Sequence, residues 1–408
     1  MKFPRLLAAF LLISSFAPAA EWPQFLGPQR NGITTDATPL VDSFPDSGPA
    51  VLWKLSLGAG FAGPVVSENV VVVFHRVKDE ATVDALEATT GKKKWSFSYT
   101  TDYRDQFGFD EGPRSSPTIA DGKVFIHGAE GQLHALDSAT GKLLWKRDLA
   151  VDFGSEQGFF GRAGAPLIVG NVVLINPGGA DAAAVGLDAA TGKTKWKAGK
   201  QAAGYASPIL WKTKRGDCAV FWLREGLLGV SPADGKVWFD VPHRSKMEAS
   251  VNAATPVVIS NEQLFTSACY KVGATLWKLT ADSIQPVWSK ENVLDCHYAT
   301  PLFFGSVLYG MHGRQEMGME LRCIDSATGK VKWNAGRMAA GECIAADGKL
   351  ILITEKGELI LIKQTPDKFT ELDRAQILGA THRSPPALAN GIFYARDKDK
   401  LVAVKLGK

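Results

Sequence analysis

The sequence predicts an all-β fold, an eight-bladed β-propeller of four-stranded antiparallel blades, closed by an N-terminal strand that joins the last blade. Three observations carry this. A strand–turn–Trp motif recurs along the chain, a strand led by a small residue and Pro precedes nearly every copy, and one lone Trp strand stands ahead of the first unit. Repetition every 40 to 50 residues or so marks blades, because a single four-stranded unit cannot bury both its faces.

The Trp motif is clearest in Leu133-His-Ala-Leu-Asp-Ser-Ala-Thr-Gly-Lys-Leu-Leu-Trp145 and Leu321-Arg-Cys-Ile-Asp-Ser-Ala-Thr-Gly-Lys-Val-Lys-Trp333. Val83–Trp95 and Val185–Trp196 follow the same plan, Leu227–Trp238 is shorter in its turn, and Leu276–Trp288 lacks the Gly. Leu359–Phe369 keeps the strand and loses the Trp, and Leu401–Leu406 is a strand alone. Gly in such a turn adopts positive φ without a steric penalty, and the Asp and Thr side chains bond nearby N–H groups. The blade tryptophans are therefore Trp53, Trp95, Trp145, Trp196, Trp238, Trp288 and Trp333, each expected to wedge between neighbouring blades.

The second marker is Gly63-Pro64, Ser116-Pro117, Ala165-Pro166, Ser207-Pro208, Thr255-Pro256, Thr300-Pro301 and Ser384-Pro385; the seventh unit has Gly341-Glu-Cys-Ile instead. Pro is tolerated where a strand begins and no ladder bond is required. Hairpin signals follow, such as Ala120-Asp-Gly-Lys and Ala389-Asn-Gly, completing four strands per unit. The eighth unit has no Trp strand of its own, whereas Ala50-Val-Leu-Trp53-Lys-Leu-Ser-Leu57 has no blade before it. Pairing the two closes the ring, so residues 50–408 form a single propeller.

Residues 1–20 read as a signal peptide. Lys2 and Arg5 precede the apolar run Leu6–Phe16, and Ala17-Pro-Ala19 offers small residues for cleavage near Ala19 or Ala20. Residues 21–49 form an N-terminal extended segment, and the mature chain is expected in the periplasm or outside the cell. No later stretch is apolar for long enough to cross a membrane as a helix. A net charge of +4 over 408 residues, without clustered Lys or Arg, gives no reason to expect a nucleic-acid partner. The five cysteines, Cys218, Cys269, Cys296, Cys323 and Cys343, show no metal-type spacing and read as small buried strand residues, with at least one unable to pair. A monomer is expected.

The Ala-x-Asp-x-x-Thr-Gly-x-x-x-Trp repeat resembles that of the pyrroloquinoline-quinone-type propellers over nearly all of residues 50–408. Glu21-Trp-Pro-Gln-Phe-Leu-Gly-Pro-Gln-Arg-Asn-Gly32 is similar to the mature start of many exported bacterial members. More distantly, the chain resembles the periplasmic propeller subunit of the outer-membrane barrel assembly machine. The resemblance implies a scaffold that hosts both dehydrogenases and protein-docking subunits. Its enzymes carry an adjacent Cys pair beneath the quinone, a Ca²⁺ site of Glu, Asn and Asp, and in some a Cys-x-x-Cys-His haem motif. This sequence has no Cys-Cys pair and no Cys-x-x-Cys-His. Hydrolase elbows, His-Glu-x-x-His and phosphate loops are also missing from it. The expectation is a ligand-binding or protein-interaction scaffold, with no catalytic residue or metal ligand assigned. The alternative is an alcohol or sugar dehydrogenase dependent on pyrroloquinoline quinone and Ca²⁺.

The segments that lead into the Pro-started strands should meet at one mouth of the central channel. They supply Glu111, Arg114, Arg162, Tyr205, Arg244, Asn252, His297, Tyr298, His382 and Arg383 as candidate ligand-binding residues. Arg offers a planar fork of donors, and Tyr and His add stacking and hydrogen bonds, a set suited to an acidic, planar or carbohydrate-like ligand. The plainer alternative is that these are solvated loops whose arginines bond neighbouring carbonyls. Phe107, Phe109, Phe159 and Phe160 either plug the mouth or face a partner.

Overall fold

The computed structural model describes residues 20–380 and 383–408; all but the last residue of the leader expected over residues 1–20, and the candidate His382, lie outside them. Eight separate four-stranded antiparallel sheets form the propeller. Seven are continuous in sequence, spanning 65–100, 118–148, 167–198, 209–242, 257–290, 302–338 and 341–376. The eighth takes three strands from 387–405 and its fourth from Val51–Ser56, which pairs antiparallel with Lys400–Lys405, Leu55 opposite Leu401. The expected closure is present.

The motif residues interlock each blade with the next. Asp137 Oδ1 accepts from Thr140 N at 2.9 Å and Thr140 Oγ1 at 2.6 Å, which folds the turn before the fourth strand. The Trp95 indole of the preceding blade donates to the Ser138 carbonyl of that turn at 2.9 Å. Its ring lies on Gly141, where φ is 73° and a Cβ would sit 2.5 Å from the indole. Glycine is thus required both by backbone conformation and by contact. The same bond runs from Trp53 to Ala88, Trp145 to Ala189, Trp196 to Pro232, Trp288 to Ser326 and Trp333 to Thr365. Burying each indole removes roughly 150–250 Å² from water and satisfies its one donor.

Blade four corrects the sequence reading. Phe239 lies opposite Gly229, as Trp196 lies opposite Gly186, so Phe239 holds the interlocking position. Trp238 is half-buried, with the Arg215 guanidinium 4.7 Å from its ring centroid. A different indole, Trp211, reaches the Ser260 carbonyl of blade five at 2.7 Å. The spacing held the answer: Trp145 follows Gly141 by four positions, and Phe239 follows Gly235 likewise.

Residues 20–49 cross the face of the ring that carries the hairpins. Trp22 is buried and exchanges backbone hydrogen bonds with Val66 of blade one. Ala345 of blade seven and Gly32 and Thr34 are bonded through their backbones, and Leu40 bridges Gly407. Between these anchors Arg30 enters the axis. Its guanidinium donates to the carbonyls of Ala165 and Pro208 at 3.1 and 2.9 Å and also bonds Pro166, while Nε donates to Gln24 at 2.8 Å. Burial lowers its pKa to about 9. The segment therefore plugs the channel from one side. All five cysteines are buried and free, and no helix among the described residues is long and apolar enough to cross a membrane.

Candidate functional site at the channel mouth

On the opposite face, the connections between blades enclose a cavity of about 370 Å³ whose lining is mostly apolar. Seven of the eight blade connections contribute. Phe61, Phe107, Phe109, Arg114, Phe159, Phe160, Tyr205, Val251, His297, Tyr298 and Arg383 surround it, and Phe25 of the plug lies at its base. Phe107 and Phe109 remain 55% and 48% exposed although their rings meet Phe160 at 5.2 and 6.0 Å, so the rim is aromatic and open.

Three guanidiniums face the cavity, each beside a carboxylate. Arg114 pairs with Asp105 at 2.9 Å and donates to the Phe160 carbonyl at 2.6 Å. Asp105 also accepts from the backbone N–H groups of Phe107, Phe109 and Asp110, and its pKa is lowered although burial opposes this. Arg314 stacks 4.7 Å above Tyr270 and pairs with Glu316 at 3.3 Å. Arg383 rests over Phe109 and Phe61, with Glu355 at 3.8 Å.

His297 has a defined tautomer. Gln315 Nε2 donates to Glu316, so the Gln315 Oε1 is turned to accept from His297 Nδ1. Nε2 is then the acceptor for the Tyr270 hydroxyl at 2.7 Å. Burial lowers the His297 pKa, so the neutral ring is the favoured form. Tyr205 accepts from Phe159 N and Phe160 N, holding the aromatic rim in place. The Tyr298 hydroxyl is buried without a hydrogen-bond partner among the described residues.

Of the sequence-derived candidates, Arg114, Tyr205, His297, Tyr298 and Arg383 converge on this cavity. Arg162 is spent on the Glu130, Ser155 and Glu156 carbonyls, and Asn252 on the Leu223 carbonyl. Arg244 pairs outside the cavity with Glu225 and Glu248. The Glu111 side chain lies 3.8 Å from Arg104, and its carbonyl accepts from Arg76. The sequence reading passed over Glu342, Tyr270 and Arg314-Gln-Glu316. Glu342 was visible as an acid standing where units such as the second and sixth have a small residue before Pro. The others come from loops joining second to third strands, where no repeat signal points.

A family model described as outer membrane protein assembly factor BamB matches residues 79–335. The chain belongs to that family. Among curated family relatives, BamB of Moranella endobia is 22% identical over 66% of this chain and 69% of its own length. The 1-butanol dehydrogenase (cytochrome c) of Thauera butanivorans is 27% identical over 42% of this chain. The quinohemoprotein alcohol dehydrogenase of Comamonas testosteroni is 30% identical over 37%. The matches span only 24% and 22% of those two enzymes. In structure, BamB from Moraxella catarrhalis superposes with a TM-score of 0.62 at 15% identity, covering 87% of this chain and 96% of that one. The Comamonas enzyme gives 0.67 at 14% identity, covering 95% and 81%. These superpositions establish the shared fold.

A calcium-bound quinone needs several oxygen donors converging on the ion. Among the described residues no three His, Cys, Asp or Glu side chains come together in that way. Of the two carboxylates that line the cavity, Glu316 and Glu342, the first is already paired with Arg314. The donor set does not fit the ion–quinone pair, and no reaction step is derived through it.

Proposed function

We propose that this chain is an exported binding propeller that holds a ligand, or a small segment of a partner, in the aromatic-rimmed cavity at the channel mouth. The observation that carries this is convergence. Residues from seven blade connections line one mostly apolar cavity with a few fixed polar groups, the usual make-up of a binding site. The exposed Phe107 and Phe109 at its rim suit a partner surface, since exposed aromatic clusters on soluble folds commonly mark interaction sites. Export is supported by the leader-like residues 1–20. Kinship to an assembly factor is compatible with a docking role.

Native mass spectrometry of the chain purified from the cell envelope tests this. Ala249 is exposed on the cavity wall, so Ala249→Trp narrows the opening without touching a blade core. The expected result is an adduct on the unsubstituted chain that is lost in Ala249→Trp. An identical spectrum for both, with no shift in melting temperature across a ligand screen, would overturn the reading. Dye-linked oxidation of an alcohol after addition of quinone and Ca²⁺ would favour an enzyme instead.

A further inference from the structure

One acid in the cavity has no counter-charge among the described residues. Glu342 is the second residue of the first strand of blade seven, one position before Cys343, which stands where blades such as the second carry Pro. It is buried, lines the cavity, and its pKa is pushed up to about 8 by burial alone. Among the described residues no cation offsets that burial. By contrast Arg114, Arg314 and Arg383 lie beside Asp105, Glu316 and Glu355, and the Arg30 donors below are occupied by carbonyls, Gln24 and Thr118. An anionic ligand would find the guanidiniums already neutralised and would meet Glu342 and Glu316. A cation would supply the missing charge.

The walls favour the same sign. Aromatic faces attract cations, and here Arg314 lies over Tyr270 and Arg383 over Phe61 and Phe109. Tyr298, near enough to Glu342 for their charges to interact, has no cation over its ring among the described residues. The other groups close to Tyr298 are Glu355, Arg383 and Glu316, and those beside Glu342 are the buried thiols of Cys296 and Cys343.

We propose that this corner of the cavity recognises a protonated amine on an apolar or aromatic stem, with the Glu342 carboxylate as its counter-ion. The assignment rests on the mouth being a binding cavity. The stem lies among the phenylalanines, and the ammonium displaces the proton of Glu342, which leaves to solvent. Atoms and charge balance: one ammonium enters and one proton departs.

Titration calorimetry of the full chain near neutral pH, with phenethylamine, 2-phenylethanol and phenylacetate, tests the idea. The amine should bind at least about tenfold more tightly than the alcohol of the same stem. Repeated in buffers of different ionisation heat, its binding should release close to one proton, as expected for a carboxyl that ionises on binding. Glu342→Gln should abolish that release and weaken the amine about tenfold while leaving the alcohol unchanged. The release measured on the unsubstituted chain stands without any variant. Amine binding without proton release, or unaltered by Glu342→Gln, overturns the assignment. Phenylacetate binding that requires Arg383, with no amine binding, also overturns it but keeps the cavity as a binding site. Binding by none of the three removes both.

Discussion

Blades two and seven solve the same packing problem differently. Blade two has its Ser116-Pro117 start, its Asp-Ser-Ala-Thr-Gly turn and Trp145, whose indole locks onto Ala189 of blade three. Blade seven has neither the strand-opening Pro nor the Trp. Asp373 takes the Trp position, and its carboxylate accepts from the N–H of Phe44. Phe44 and Val41, from the N-terminal segment, pack on the core shared by blades seven, eight and one. A distant stretch of chain thus supplies the apolar mass that the repeat lacks, and the buried Glu342 stands just before the vacated Pro position, which Cys343 fills. The comparison teaches that intact repeats hold the ring, and a degenerate one is where a polar group enters the channel.

Trp145→Ala should break the intact side hardest, costing about 3–5 kcal/mol in chemical denaturation. Phe239→Ala should cost a similar amount, about 3 kcal/mol or more, while Trp238→Ala stays below about 1 kcal/mol. Equal losses for this pair would refute the blade-four register. Arg30→Met should cost about 1–3 kcal/mol, because the carbonyls of Ala165, Pro166 and Pro208 lose their donor. Asp373→Ala should cost only about 1 kcal/mol, the worth of one hydrogen bond to a charged acceptor at a part-buried site. A loss as large as that of Trp145→Ala would mean that blade seven depends on its own strand more than on the borrowed segment.

The smallest effect is a pH slope. Glu342 has a folded pKa of about 8 against an ordinary 4.5. Between those values the unfolded chain releases the proton and the folded chain keeps it, so stability falls as pH rises and levels off above about 8. Glu342→Gln removes this term. Its melting temperature should match the unsubstituted chain near pH 4.5 and exceed it increasingly toward pH 8. A constant difference across that range would show that Glu342 is ionised in the fold.

Much of the fold was legible because each interlock is coded within a few residues. Asp137, Thr140, Gly141 and Trp145 lie at fixed spacing, and each does its work against the adjoining blade. The misreading of Trp238 came from preferring residue type to spacing. The site was half legible. Arg114 and Arg162 look alike in sequence, yet one reaches the cavity and the other is used up on three carbonyls. Loop residues carry no periodicity, so their direction depends on which unpaired backbone groups lie nearby.

By itself, the sequence determined an eightfold ring sealed by residues 51–56, because turn chemistry and strand alternation are local and repeat in register. Tertiary structure alone decided that residues 20–49 stopper one end with Arg30, and that an acid from a failed repeat meets aromatic walls at the other. Those groups lie tens to hundreds of positions apart, and only ring closure brings them within contact distance.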